Sequence, residues 1–171
     1  MPKSKKVSES VAIMTAMVMP NDTNPLGNLM GGNVMRMMDV IGAICAQKHS
    51  NRIVVTASVD NVSFVESIPL GNVVTLEARV TRAFNSSMEV MVKVFSENIP
   101  AGTKHNTNRA FLTFVAVDQS GRPIEVPIVE PETEQEQALY EGALQRRQLR
   151  LVLAGRMKAQ DATELRAIFF E

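Results

Sequence analysis

Only one stretch of the first 130 residues is patterned as a helix, and nearly everything around it is patterned as strand. The helix covers residues 32–48, where Val34, Met37, Met38, Ile41, Ile44 and Cys45 recur at helical spacing as a broad apolar stripe. A strand pattern over residues 11–19 precedes it, and four more follow. Residues 53–66 are rich in β-branched types, with Asp60 and Asn61 predicting a bulge or bend partway. In residues 73–83, Val74, Leu76, Ala78 and Val80 alternate with Thr75, Glu77, Arg79 and Thr81, and residues 88–97 alternate likewise. Asn85, Ser86 and Ser87 lie between these two as a hairpin turn. Residues 108–118 are apolar on both faces, which predicts a central strand covered twice. Short connections favour antiparallel pairing, so the order predicts an α+β domain: an antiparallel sheet of about five strands wrapped around one long helix.

Past Pro131 the composition shifts. Thr133 with Glu136 matches a capping box and predicts a charged helix to about Arg150. Asp161 with Glu164 predicts a second, short helix ending near Phe169 and Phe170. Neither has an apolar face wide enough to fold alone. The chain therefore divides into a domain over residues 1–130 and a C-terminal helical extension over residues 131–171, which docks on the domain or on a partner subunit.

The 171 residues suffice for one domain with a real core, and 45% hydrophobic content excludes a disordered class. Lys+Arg and Asp+Glu number 18 each, so bulk charge points to no nucleic acid and no membrane as partner. The lone Cys45 excludes an internal disulfide and a thiolate zinc cluster, fits a reducing compartment, and reads as a small buried hydrophobe. Lys3, Lys5 and Lys6 before an apolar stretch imitate part of a secretory signal. Glu9 interrupts the transition and no small-residue cleavage pattern follows before Pro20. Residues 11–19 are also far short of the roughly 20 that a membrane-spanning helix needs. A first strand in a cytoplasmic protein is the expectation, with no cofactor and no metal.

Asp39 does not fit its surroundings, since it lies in the middle of the most apolar helix. An ionised carboxylate buried there without partners would be very costly. Met35, Gly42, Ala43 and Ala46 stand at i−4, i+3, i+4 and i+7, a lane of mostly small side chains that predicts a crevice beside Asp39. The plainer reading is a hydrogen bond, or an ion pair with Arg36 at i−3. Two features favour chemistry. Gly31 and Gly32 open the helix after the polar loop 20–28, and free N–H groups at a helix N-terminus stabilise developing negative charge. Asn28, three residues earlier, could hold a water or a carbonyl, or merely shape the turn as Asn21, Asp22 and Asn24 do.

The run PNDTNPLGNLMGG at residues 20–32, continuing through Met35 to Asp39, resembles the acyl-CoA hydrolase family of hotdog-fold thioesterases. Residues 52–64, 111–123 and 131–147 are similar to the same family, so the likeness spans roughly residues 11–150. The resemblance implies a hotdog fold, hydrolysis of acyl-CoA to free fatty acid and CoA, and dimers that pair into one continuous sheet and then assemble as trimers of dimers. It implies that Asp39 activates water, that Asn28 is supplied across the subunit interface, and that the hairpin Asn85, Ser86 and Ser87 contacts the coenzyme phosphates. Other branches carry Asp at the Asn28 position, and some have His where Met30 stands. Arg52 and Thr56 join the expected CoA contacts, and Arg79 and Arg82 are further candidates near the nucleotide.

The chemistry is consistent with this inventory. A leaving thiol with a pKa of about 8.5, as for cysteine, departs near neutral pH without strong protonation. No histidine acid is required, and His49 and His105 read as surface residues, unlike the site histidine of dehydratase relatives of this fold. The amide of Gly32 is the expected oxyanion donor. A non-catalytic acyl-CoA sensor and a structural assembly subunit are the rival readings.

Overall fold

The computed structural model describes residues 3–170. Its strands are β1 (Ser4–Lys6), β2 (Ala12–Met17), β3 (Ile53–Val59), β4 (Val73–Ala83), β5 (Ser87–Asn98), β6 (Thr103–Val117) and β7 (Ile128–Glu130). Its helices are α1 (Gly31–Ser50), α2 (Glu134–Leu153) and α3 (Thr163–Phe170). Five strands form one antiparallel sheet in the order β2-β4-β5-β6-β3, and β1 pairs with β7 in a separate parallel ribbon.

Helix α1 lies on one face of this sheet. Val34, Met38, Ile41 and Cys45 pack into the same core as Leu76, Val80, Val92, Leu112 and Phe114. The approach is close because residue 42 is glycine: a Cβ there would stand 2.9 Å from two ring atoms of Phe114. This corrects the reading of the small-residue lane. Gly42 and Ala46 are buried and lower the helix onto the sheet, so they do not open a crevice for a ligand. Asp39 stands at the border between this buried side and an exposed flank bearing Met35, Val40 and Ile44. Ile44 therefore leaves the predicted stripe for the surface.

Strand β3 ends at Val59 and the chain turns out of the sheet at Asp60, whose N–H donates to the Phe111 carbonyl at 2.9 Å. Strand β6 starts five residues before the predicted 108, because main-chain pairing to β5 continues through the polar, exposed residues 103–106. The alternation over 73–83 matches β4 in full.

The extension packs on the opposite, outer face. Thr133 Oγ1 accepts the Glu136 N–H at 3.2 Å, which is half of the expected capping box. The Glu136 carboxylate instead accepts from the Glu132 N–H and from Arg79. Helix α2 then follows β4, with Arg79 on Glu136, Arg82 on the Tyr140 carbonyl, and Phe84 under Arg147.

His49 is fully buried in the last turn of α1, contrary to the surface reading, whereas His105 is exposed. The structural cause lies far along the chain: the segment before β7 crosses α1, and the Pro127 carbonyl accepts from His49 Nε2 at 2.8 Å. Nδ1 has no partner among the described residues. Burial lowers the His49 pKa. The unfolded chain therefore takes up a proton near pH 6.5 that the folded chain resists, and stability falls as pH drops below that value towards the depressed folded pKa. We expect the denaturant midpoint to fall between pH 7.5 and 5.5. His49→Gln, which can still donate to Pro127, should flatten that fall, and an unchanged slope would exclude His49 as its source.

Candidate active site

Asp39 is half-buried, and its Oδ1 accepts a 2.6 Å hydrogen bond from the Thr56 hydroxyl on β3. The pairing of β3 with β6 shifts register between Thr56 and Ser58, and such an irregularity re-aims the side chains beside it. Thr56, expected among the CoA contacts, thus directs its hydroxyl to the carboxylate. No ion pair joins Asp39 to Arg36 among the described residues. Oδ2 of Asp39 carries no hydrogen bond among the described residues, so one carboxylate oxygen is fixed and the other is available.

The start of α1 forms the second element. Met30 is the N-cap residue and offers no side-chain cap. Its carbonyl accepts the Asn33 and Val34 N–H groups, while those of Gly31 and Gly32 have no acceptor among the described residues. A Cβ at Gly31 would stand 3.1 Å from the Phe64 ring, whereas one at Gly32 would meet open space. The amide of Gly32 is therefore approachable.

Asn28 is held by its main chain. Its carbonyl accepts the Asn24 N–H at 2.8 Å, its N–H donates to Asn24 Oδ1 at 3.2 Å, and it forms an antiparallel bridge with Pro69. Asn24 and Asp22 shape the loop, as read from the sequence. The Asn28 side chain makes no hydrogen bond among the described residues. It lines a cavity of about 400 Å³ with Asn24, Gly31, Val34 and Phe64. Asp39 does not line that cavity, being eight residues into the helix and roughly 12 Å along its axis from Gly31. One chain thus brings Asn28 to Gly31, and Thr56 to Asp39, without joining the two pairs.

The turn Asn85, Ser86 and Ser87 connects β4 to β5, with Asn85 exposed and both serines half-buried. Arg52 is exposed at the same end of the sheet, since Ile53 pairs with Val117 and Ser87 with Val115. Arg79 is engaged by Glu136. Burial pushes the Cys45 thiol up to about 12, which suits a core residue and not a nucleophile. Met38 is core as well, while Met35 is exposed. The sequence reading missed the Thr56 contact and the wall that Phe64 builds against Gly31, because both depend on how β3 ends and re-registers.

A long helix wrapped by a curled five-stranded antiparallel sheet is the architecture of the hotdog class of proteins. The thioesterase superfamily profile matches residues 26–102. The chain is 43% identical over 145 residues to an uncharacterized acyl-CoA thioester hydrolase of Bacillus subtilis, across 85% of this chain and 84% of that one. It superposes with a TM-score of 0.87 on a hexameric acyl-CoA thioesterase crystallised in its apo form, at 47% identity over 89% of this chain and 97% of the other. An acyl-CoA hydrolase from Staphylococcus aureus, solved with butyryl-CoA, CoA and CoA disulfide, gives a TM-score of 0.83 at 37% identity over 96% and 99%. That hydrolase has also been solved with a single aspartate, threonine or asparagine replaced by alanine. The chain belongs to the thioesterase superfamily, among its acyl-CoA thioester hydrolases.

Proposed function

We propose that this chain hydrolyses acyl-CoA to free fatty acid and CoA with Asp39 as general base, at a site completed by a second subunit. The observation that carries this reading is the Asp39 carboxylate, held at Oδ1 by Thr56. Oδ2 takes a proton from water as the water oxygen attacks the thioester carbonyl. The oxyanion forms at the free amide of Gly32. Collapse breaks the carbon–sulfur bond and expels the CoA thiolate, whose pKa of about 8.5 lets it leave without a strong acid. Asn28 of the facing subunit orients the water or the carbonyl.

The second subunit has a natural place to bind. Strand β3 is a sheet edge with Ile53, Val55 and Val59 exposed, beside Met35, Val40 and Ile44 on α1. An apolar edge with unpaired main-chain groups is a template for pairing with another strand. Two β3 edges joining into one continuous sheet, and three such dimers forming a hexamer, agree with the hexameric relative. Asn85, Ser86, Ser87 and Arg52 are the proposed CoA contacts, and the cytoplasm is the proposed compartment, where the reduced Cys45 is at home. A non-catalytic acyl-CoA sensor would have no use for a carboxylate fixed by Thr56.

Thiol release from acyl-CoAs of graded chain length tests the activity. Subunit mixing tests the shared site: Asp39→Asn and Asn28→Ala homodimers should each be nearly inactive. Dissociating and recombining them in equal amounts should restore about a quarter of wild-type activity, since half the dimers carry one intact site of two. No recovery despite confirmed exchange would exclude a site shared in this way, and no thiol release by the wild type would leave the sensor reading.

A further inference from the structure

Strand β3 brings the Thr56 hydroxyl to Asp39, yet its own side chains do little to fix where it sits. No residue of β3 is buried among the described residues, whereas β4, β5 and β6 each bury several. The register of a strand is weakly specified when neither of its faces is buried. Upstream of Thr56, Val54 packs against the core. Immediately downstream the pairing carries one residue too many. Thr56 opposes Phe114 and Ser58 opposes Thr113, which leaves Ala57 unmatched. Such a bulge bends the strand and aims the side chains beside it. It persists only while the chain is held on both sides, since release of either side lets the extra residue be drawn out.

The downstream hold is Asp60. Its N–H donates to the Phe111 carbonyl at 2.9 Å, and both of its carboxylate oxygens accept from Arg150 Nη1, at 3.1 and 2.8 Å. Arg150 stands one helical turn past Arg146 on the same face of α2, and its Nη2 donates to Glu89 at 3.2 Å. Glu89 is fully buried on β5, opposite Thr113, which in turn opposes Ser58. Arg150 thus ties the end of an edge strand to the centre of the sheet, along the row of residues that borders the bulge. Stability alone gives little reason for this pair. Burial holds the Asp60 carboxyl above the usual carboxylate range despite the attraction of Arg150, so ionised Asp60 costs the fold stability at neutral pH.

We propose that Asp60, clamped by Arg150, is a positioning residue for the hydrolysis, a role that rests on the reading of Asp39 as general base. Asp60 preserves the bulge at Ala57 and so keeps the Thr56 hydroxyl aimed at the Asp39 carboxylate. The C-terminal helix thereby reaches the reaction from the outer face of the sheet, acting through Thr56 and not on the substrate.

Asp60→Ala frees the end of β3 and leaves Arg150 wholly to Glu89. It should lower kcat about fivefold, within the roughly tenfold loss expected of Thr56→Val, and leave KM within about twofold of wild type. Asp60→Asn, which still offers Arg150 an oxygen, should recover part of that loss. Arg150→Gln should match the kcat of Asp60→Ala but with a lower denaturant midpoint, because Glu89 also loses a partner. The deciding measurement is the double variant. A residue that acts through Thr56 has nothing left to act on in Thr56→Val, so adding Asp60→Ala there should lower kcat by less than about twofold. Losses that multiply, or a wild-type kcat in both Asp60→Ala and Arg150→Gln, would overturn the role. Amide hydrogen exchange reads the strand without reference to activity. Residues 53–59 should exchange about fivefold faster in Asp60→Ala than in the wild type, with β4 unchanged, and equal rates would refute the hold on β3. A wild type that releases no thiol from any acyl-CoA would instead defeat the hydrolase reading, and the exchange rates would still decide whether Asp60 holds the strand.

Discussion

Asp39→Asn should lower kcat by about 10²–10⁴-fold, the usual contribution of a positioned general base, while CoA affinity stays within about twofold of wild type. The substitution preserves size and retains an oxygen that can accept the Thr56 hydrogen bond. It removes only the capacity to take a proton from water. Thr56→Val is the informative comparison. It leaves the carboxylate but frees it to rotate, so kcat should fall by about tenfold, the effect of one hydrogen bond to a charged group. Steady-state thiol release together with calorimetric CoA binding separates these effects. If both variants lost equally, Asp39 would be acting through the structure that Thr56 stabilises. If Asp39→Asn changed KM alone, the carboxylate would be a binding group and the base would lie elsewhere.

Where a pattern is local, the sequence announced it. The alternation of Val74, Leu76, Ala78 and Val80 became the buried side of β4, and Asp39 was conspicuous as a carboxylate on an apolar helix. Thr133 marked the start of α2. What stayed hidden depends on which distant segments meet. His49 gave no sign that the Pro127 carbonyl would reach it. Gly42 and Ala46 looked like a ligand lane because nothing local says that Phe114 lies beneath them. The Thr56 contact arises from a register shift, and strand alternation carries no signal for one. Asn28 and Asp39 represent the extreme of this limit, since the surface proposed to join them belongs to another copy of the chain.

Glu89 extends the same point into energetics. By alternation it belongs to the outward face of β5, a position expected to be solvated, yet it is fully buried because α2 covers that face. Arg146 compensates it with Nε and Nη2 both donating to the carboxylate, the latter at 2.7 Å. Thr81 donates to the same carboxylate at 2.6 Å. Arg150 is the weaker partner. It contacts Glu89 at 3.2 Å and divides itself with Asp60, where burial outweighs its attraction and holds the Asp60 carboxyl above the usual carboxylate range. Space for Arg146 comes from Gly142, where a Cβ would stand 2.9 Å from its Nη1. Arg146→Met keeps most of the side-chain volume over Phe111 but leaves the buried carboxylate half-compensated. We expect a loss of about 3 kcal/mol, the lower end for breaking a buried ion pair, because Arg150 and Thr81 remain. The denaturant midpoint should fall accordingly. The double variant Glu89→Leu with Arg146→Met should recover much of that loss, because an apolar pair leaves no charge to compensate. If Arg146→Met were neutral, α2 would be only loosely applied to the sheet. If the double variant were worse than the single, Glu89 would be stabilising α2 through Arg150 and Thr81 more than through Arg146.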